Sequence, residues 1–263
     1  MFKFIKIDKK AINSEIKKIE KREKKLRCEK LNSKPSALIV TVEEKIPDKV
    51  YKALKRAFSK AFDIVFNRGT FAIEKTFNKS NVKNEFQVKD FALNINPNRK
   101  VIKSLKRTKN NVQNMALSTV EGVGLGLLGI GFPDIILFTS MILKGVYETA
   151  VSYGFDYDTN TERLFILKLL EASMRIGNDF IETDNEIDDF ITKNILNQID
   201  DDYIKTQTNH TADAFAVEML TMKFIQGLPV IGVLGGLANP VYYHKIMSYV
   251  QLKYRKRYLY SKL

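Results

Sequence analysis

Nine of the 13 glycines fall in two short runs, five from Gly122 to Gly131 and four from Gly227 to Gly236. Each run sits in a stretch almost without charge: Met115–Leu143 carries only Glu121 and Asp134, and Phe224–His244 carries no Asp, Glu, Lys or Arg. A helix that is apolar all round must be buried, either in a protein core or in lipid. Each stretch is long enough to reach across a bilayer, which takes about 20 apolar residues. Straight spans are disfavoured by Pro133-Asp134 in the first and by Pro229 and Pro240 in the second, because proline breaks the helical ladder and an ionised aspartate in hydrocarbon is costly. The pairs Gly122/Gly126 and Gly232/Gly236 each place two hydrogen side chains on one helical face, so that another helix can approach closely. Gly129, Gly131, Pro133 and Gly235 complete the expected membrane-inserting or helix-packing set. Two readings follow: Gly-lined hairpins in or on a membrane, or core helices of a soluble bundle with tight crossings.

Charge is distributed as unevenly as glycine. The net +13 divides into +18 over residues 1–110, −4 over 111–160, −8 over 161–220 and +7 over 221–263. Two basic ends enclosing an apolar and acidic middle favour anionic partners. Both charge-poor stretches have cations on either side, Lys103, Lys106, Arg107, Lys109 and Lys144 for the first and Lys223, Lys245, Lys253, Arg255, Lys256 and Arg257 for the second. That pattern is expected to hold all flanks on the cytoplasmic side. An anionic membrane surface is therefore the expected partner, with Lys52, Lys55, Arg56, Arg255, Lys256 and Arg257 as contacts. The tail Tyr254–Tyr260 also interleaves aromatics with cations as nucleic-acid binders do, but no reader motif accompanies it and nucleic acid is the weaker expectation.

Periodicity predicts an all-α fold, a multi-helix bundle with the two Gly-rich segments as helical hairpins. Residues 1–40 read as a charged, exposed helix or arm with a thin stripe of Ile12, Ile16, Ile19 and Leu26, ahead of a helical domain over 41–263. An amphipathic helix is expected from Pro47 to about 68, ended by Gly69; its polar side carries Lys49, Lys52, Lys55, Arg56 and Lys60. Residues 78–100, rich in Asn and Lys, read as a loop-bearing linker before a second basic helix over 98–110. Thr159 with Glu162, and Thr183 with Glu186, have capping-box spacing and predict helix starts.

Catalytic signals are weak. Two histidines and one cysteine exclude a structural zinc site of four nitrogen and sulfur ligands, and a single cysteine cannot form an internal disulfide. No secretory leader precedes the first helix, which predicts a reducing, non-secreted setting. Gly124-Leu125-Gly126-Leu127-Leu128-Gly129 spells a dinucleotide fingerprint without the strand that the motif needs, and no P-loop or nucleophile elbow exists. No cofactor is expected. Asp156-Tyr157-Asp158 lacks the rest of a calcium loop and reads as helix capping. The alternative to membrane docking is a soluble hydrolase or ligand-binding domain in which Glu121, Asp134 and Glu148 converge on a Gly-lined pocket.

The ordered set Gly129, Gly131, Phe132-Pro133-Asp134, Tyr147-Glu148, Tyr153-Gly154-Phe155-Asp156, Glu162-Arg163, Pro229-Val230-Ile231-Gly232, Gly235-Gly236 and Asn239 resembles the EcsC family. The resemblance runs from about Val42 to Tyr258 and leaves the charged first 35 residues outside. It implies a neighbourhood, membranes and ABC-type export, with a membrane transporter subunit as a possible partner. It supplies no catalytic residue. The expected protein is thus non-enzymatic, helical and peripheral or re-entrant at the cytoplasmic face of a membrane.

Overall fold

A computed structural model describes residues 9–33, 48–95, 99–105, 132–193, 199–225 and 240–263. Among these residues every regular element is helical, as the periodicity predicts. In chain order they are α1 (Lys9–Asn32), α2 (Asp48–Ile64), a π-helical turn (Val65–Gly69), α3 (Thr70–Glu74), α4 (Lys79–Ile95), α5 (Arg99–Ser104), α6 (Phe132–Ser152), α7 (Asn160–Met174), α8 (Gly177–Lys193), α9 (Asp201–Ile225) and α10 (Pro240–Tyr260). Both glycine runs and Glu121 lie outside the described residues. The described part of the first stretch begins at Phe132 and belongs to α6, so Pro133-Asp134 lie within a helical element.

Helix α7 is the centre of the bundle, buried on all sides from Leu164 to Met174. It packs against α8, α9 and α10, while α9 also packs on α2, and α6 lies against α2, α4 and α10. The rings of Phe58 and Phe62 (α2), Phe138 (α6) and Phe215 (α9) meet with centroids 5.3–6.4 Å apart and join these layers into one apolar core.

Four local expectations change. The helix expected to stop at Gly69 continues through the π-helical turn into α3, with the Thr70 hydroxyl donating to the Phe66 carbonyl at 3.1 Å. Residues 79–95, read as part of a linker, form α4, because Asn78 accepts from the Asn81 amide at 2.9 Å and Leu93, Val82 and Phe86 give the helix an apolar face on the core. The first helix is no exposed arm: Ile12, Ile16 and Ile19 are buried where α1 docks on α8 and α10. Thr159 caps α7 by accepting from the Glu162 amide at 3.2 Å, but the Glu162 carboxylate turns away from the cap; Thr183 is in mid-helix, donating to the Asp179 carbonyl at 2.9 Å. Helix α8 starts six residues before Thr183, where Gly177 takes the left-handed conformation (φ +62°) that ends the α7–α8 connection.

Two glycines set close approaches. Gly145 lies where α6 crosses α10, and a methyl group there would meet the Tyr243 hydroxyl at 2.6 Å. Gly154, after α6, has φ +82°, and a Cβ on it would come within 2.4 Å of the Phe86 ring of α4. Backbone strain and overpacking therefore combine at Gly154, whereas a Cβ at Gly177 meets nothing within 4 Å. Gly154→Ala is expected to cost about 2–4 kcal/mol and Gly177→Ala about 1 kcal/mol, measured by urea unfolding.

Candidate functional site

Helix α10 collects most of the cations of the C-terminal region, and its heptad-like positions Ile246, Tyr249, Lys253, Lys256 and Tyr260 face α1 and α8. On α1 the stripe that begins with Ile12, Ile16 and Ile19 continues through Glu23, Arg27 and Lys30. On α8 Asp184 falls between Phe180 and Ile187 in the same rhythm. Three apolar stripes thus carry charges of opposite sign into one buried contact.

Lys253 is at the centre and has no exposure to solvent. Its Nζ is 2.8 Å from Glu23 Oε1, 2.7 Å from Asp184 Oδ1 and 2.7 Å from Asp188 Oδ1. Lys256 bridges Glu23 and Asp188 at 2.8 Å each, and Arg27 reaches Asp184 at 2.5 Å and Asp188 at 3.1 Å. The Tyr249 hydroxyl donates to Asp184 at 2.6 Å. Three cations meet three carboxylates, so the array is neutral. Burial alone would raise the Asp184 carboxyl, but Lys253, Tyr249 and Arg27 together hold it below its ordinary range. Burial would likewise lower Lys256, and its two carboxylate partners reverse that.

Two further clamps extend the array along α10. Arg255 pairs with Glu15 of α1 at 2.9 Å, and Arg257 with Glu162 of α7 at 2.6 Å. The Tyr254 hydroxyl also donates to Glu162, and the Arg257 guanidinium lies 4.1 Å from the Phe155 ring centroid and 4.4 Å from that of Phe165. Burial lifts the Glu162 carboxyl despite these partners. Lys30 is a separate case: it donates to the Ser173 and Arg175 carbonyls at 3.0 and 2.6 Å, closing the C-terminal end of α7, and among the described residues it forms no ion pair, with Glu218 and Asp184 acting on it only from a distance. Burial, with Lys245 adding, lowers its ammonium to about 7.

The expected surface contacts are placed differently from one another. Arg255, Lys256 and Arg257 turn inward onto carboxylates of α1, α7 and α8, because a helix packed on acidic neighbours lowers its energy by pairing its cations there. On α2, Lys52 and Arg56 are exposed, Lys52 beside Asp48 at 2.5 Å, while Lys55 is half-buried against Asp213 at 3.1 Å. The inward pairing sorts the charges of α1. Its acids Glu15 and Glu23 are buried, while Lys9, Lys10, Lys17, Lys18, Lys21, Arg22, Lys24 and Lys25 are exposed, together with only Glu20 and Glu29 among the acids. The outer face of α1 is strongly basic as a result.

Of the candidate pocket acids, Glu121 lies outside the described residues and the other two are on α6. Asp134 and Glu148 belong to one helix, 14 residues apart, which separates them by about 21 Å along its axis. Cys28 and both histidines are exposed at the surface. Among the described residues no group of three His, Cys, Asp or Glu is arranged to hold a metal ion; the nearest acidic trio, around Lys253, encloses an ammonium. The array was hidden from motif reading because its members lie in three helices, but charges standing at core-spaced positions of α1, α8 and α10 are the signal that marks it.

An all-helical bundle closed by a buried, neutral charge array, with a basic outer helix, is the class of protein that fold and site define. The sequence matches the EcsC protein family over residues 10–259, and the chain belongs to that family. The match takes in α1, which the residue-by-residue resemblance left out. No curated protein and no solved structure matches the chain.

Replacing Lys253 by Met leaves three carboxylates short of a cation and is expected to cost about 3–5 kcal/mol, whereas Lys52→Ala stays within about 0.5 kcal/mol; urea titration compares them. For Lys30 the unfolded state holds more protons than the folded one between about pH 7 and the ordinary lysine value of 10.5. Its contribution is therefore complete above that ordinary value and lost as pH falls through about 7. Relative to Lys30→Met, the parent chain should gain on the order of 1–3 kcal/mol of stability between about pH 6 and pH 9, measured as the difference of two denaturation series.

Proposed function

We propose that the chain is a non-enzymatic helical protein that docks on an anionic membrane at its cytoplasmic face, beside a membrane transporter subunit. The observation that carries this reading is the charge sorting of α1: Glu15 and Glu23 pair with α10 inside the bundle, while eight of its ten cations are exposed beside only two exposed acids, Glu20 and Glu29. A cationic helix held rigidly on a folded scaffold attracts an acidic headgroup layer, at about 1 kcal/mol for each Lys or Arg near the surface. The exposed Lys52 and Arg56 of α2 add to the same field.

Docking fits the described helices better than spanning. Among them only the window Ile135–Ser152 of α6 has the length and apolar character to cross a bilayer, and about two-thirds of it is buried within the bundle, as a core helix would be. Both glycine runs, the segments expected from the sequence to insert in or pack on a membrane, lie outside the described residues.

Flotation of the full chain with phosphatidylserine-containing vesicles and with phosphatidylcholine vesicles tests the reading. The chain should float with the first and be released by high salt in proportion to the cations engaged. Reversing Lys17, Lys21 and Lys24 to Glu, one face of α1, should weaken partitioning by about a hundredfold or more at about 1 kcal/mol per cation. A chain that fails to float, or a reversal without effect, overturns it.

A further inference from the structure

Helix α4 has two apolar faces where a surface helix ordinarily has one. Val82, Phe86 and Leu93 face inward on the core. On the opposite side Val88, Phe91 and Ile95, spaced three and four apart, form a single ridge with 69%, 66% and 46% of their surface exposed. They account for half of the large hydrophobic side chains that stand out from the described residues, which also include Leu31, Tyr203 and Leu263. Elsewhere in the bundle such residues are single, whereas here three adjoin.

We infer that this α4 ridge is the apolar wedge with which the protein enters the headgroup region of an anionic bilayer, a conclusion that rests on the membrane reading above. The surrounding charge selects that occupant. The described cations of α4 and α5 near the ridge are Lys83, Lys89 and Lys103, beside two acids, Glu85 and Asp90, while Lys79 is engaged by Glu74 and Asp158. Both acids are answered within the protein: Asp90 accepts from the Tyr258 hydroxyl at 2.5 Å and lies 2.6 Å from Lys262, and Glu85 is 3.4 Å from Lys89. Lys83 and Lys103 are exposed. An apolar ridge within a cationic field complements a layer that is acidic at its surface and hydrocarbon beneath it.

Position in the fold agrees. The last turns of α10 are tied to α4 through Tyr258 and Lys262, and to α1 through Lys256–Glu23 at 2.8 Å and Lys9 to the Leu263 carbonyl at 2.5 Å. The ridge and the basic helix thus flank the same end of α10.

The chain has no tryptophan, so Phe91→Trp installs a single indole on the ridge. Its emission should be that of a water-exposed indole in the free protein, shift to the blue with phosphatidylserine-containing vesicles and stay put with phosphatidylcholine alone. Tyr203→Trp, at the exposed start of α9, should not shift; equal shifts at both positions overturn the assignment. In flotation, the triple change Val88→Ser, Phe91→Ser, Ile95→Ser should lower partitioning by about tenfold or more while leaving the helical circular dichroism unchanged. If the parent chain does not float, the membrane reading itself fails; if it floats and the triple variant floats equally well, only the ridge assignment fails. An indole already blue-shifted without vesicles would mean that the chain covers its own ridge. A dimer that the triple variant converts to monomer in analytical ultracentrifugation would mean that a second copy does. Either result overturns the proposal.

Discussion

The ammonium of Lys253 and the three carboxylates around it are the contact on which the arrangement of α1, α8 and α10 depends. A lysine fully removed from solvent is tolerable only with compensating charge, and charge of one sign gathered from two other helices is tolerable only with the lysine. Neither half is stable without the other. The helices therefore dock together or not at all, and the array specifies one register among many that apolar stripes alone would permit.

That register has an effect at a distance from the array. By drawing Glu15 and Glu23 inward it divides α1, a segment of mixed charge, into a neutralised inner side and a cationic outer side. The cations of α10 act on the surface field indirectly: they turn inward, and by pairing with Glu15 and Glu23 they leave the exposed side of α1 with an excess of cations over acids. The same helix end holds Asp90 of α4 to Tyr258 and Lys262, which removes one of the two acids from the neighbourhood of the outward ridge. One helix thereby shapes the electrostatics of both flanking surfaces.

Packing around α7 supplies the rigid frame for this. The aromatic cluster of Phe58, Phe62, Phe138 and Phe215 ties α2, α6 and α9 together, and the Arg257 guanidinium, between the Phe155 and Phe165 rings and above Glu162, ties α10 to α7. Lys30 adds a polar closure at the other end of α7, where its amine donates to two carbonyls at the end of the helix, groups that lack intrahelical partners.

How much of this was legible depends on the range of the interactions. Local signals were sufficient for the helical class, for the amphipathic α2 and for the Thr159 cap, since apolar spacing and a short polar side chain act within a few residues. They misread α4, where Asn and Lys suggested a loop although Val82, Phe86 and Leu93 carried an inward face, and they misplaced the start of α8 at Thr183. The candidate site was legible only as composition: the basic tail was visible, its direction was not. By itself the sequence determined that the chain is helical, basic at both ends and bearing two charge-free glycine runs. Tertiary structure alone decided which cations meet carboxylates and which meet solvent, because a charge's partner across more than 200 residues is set by how whole helices pack, and a one-dimensional pattern records the charge but not the neighbour.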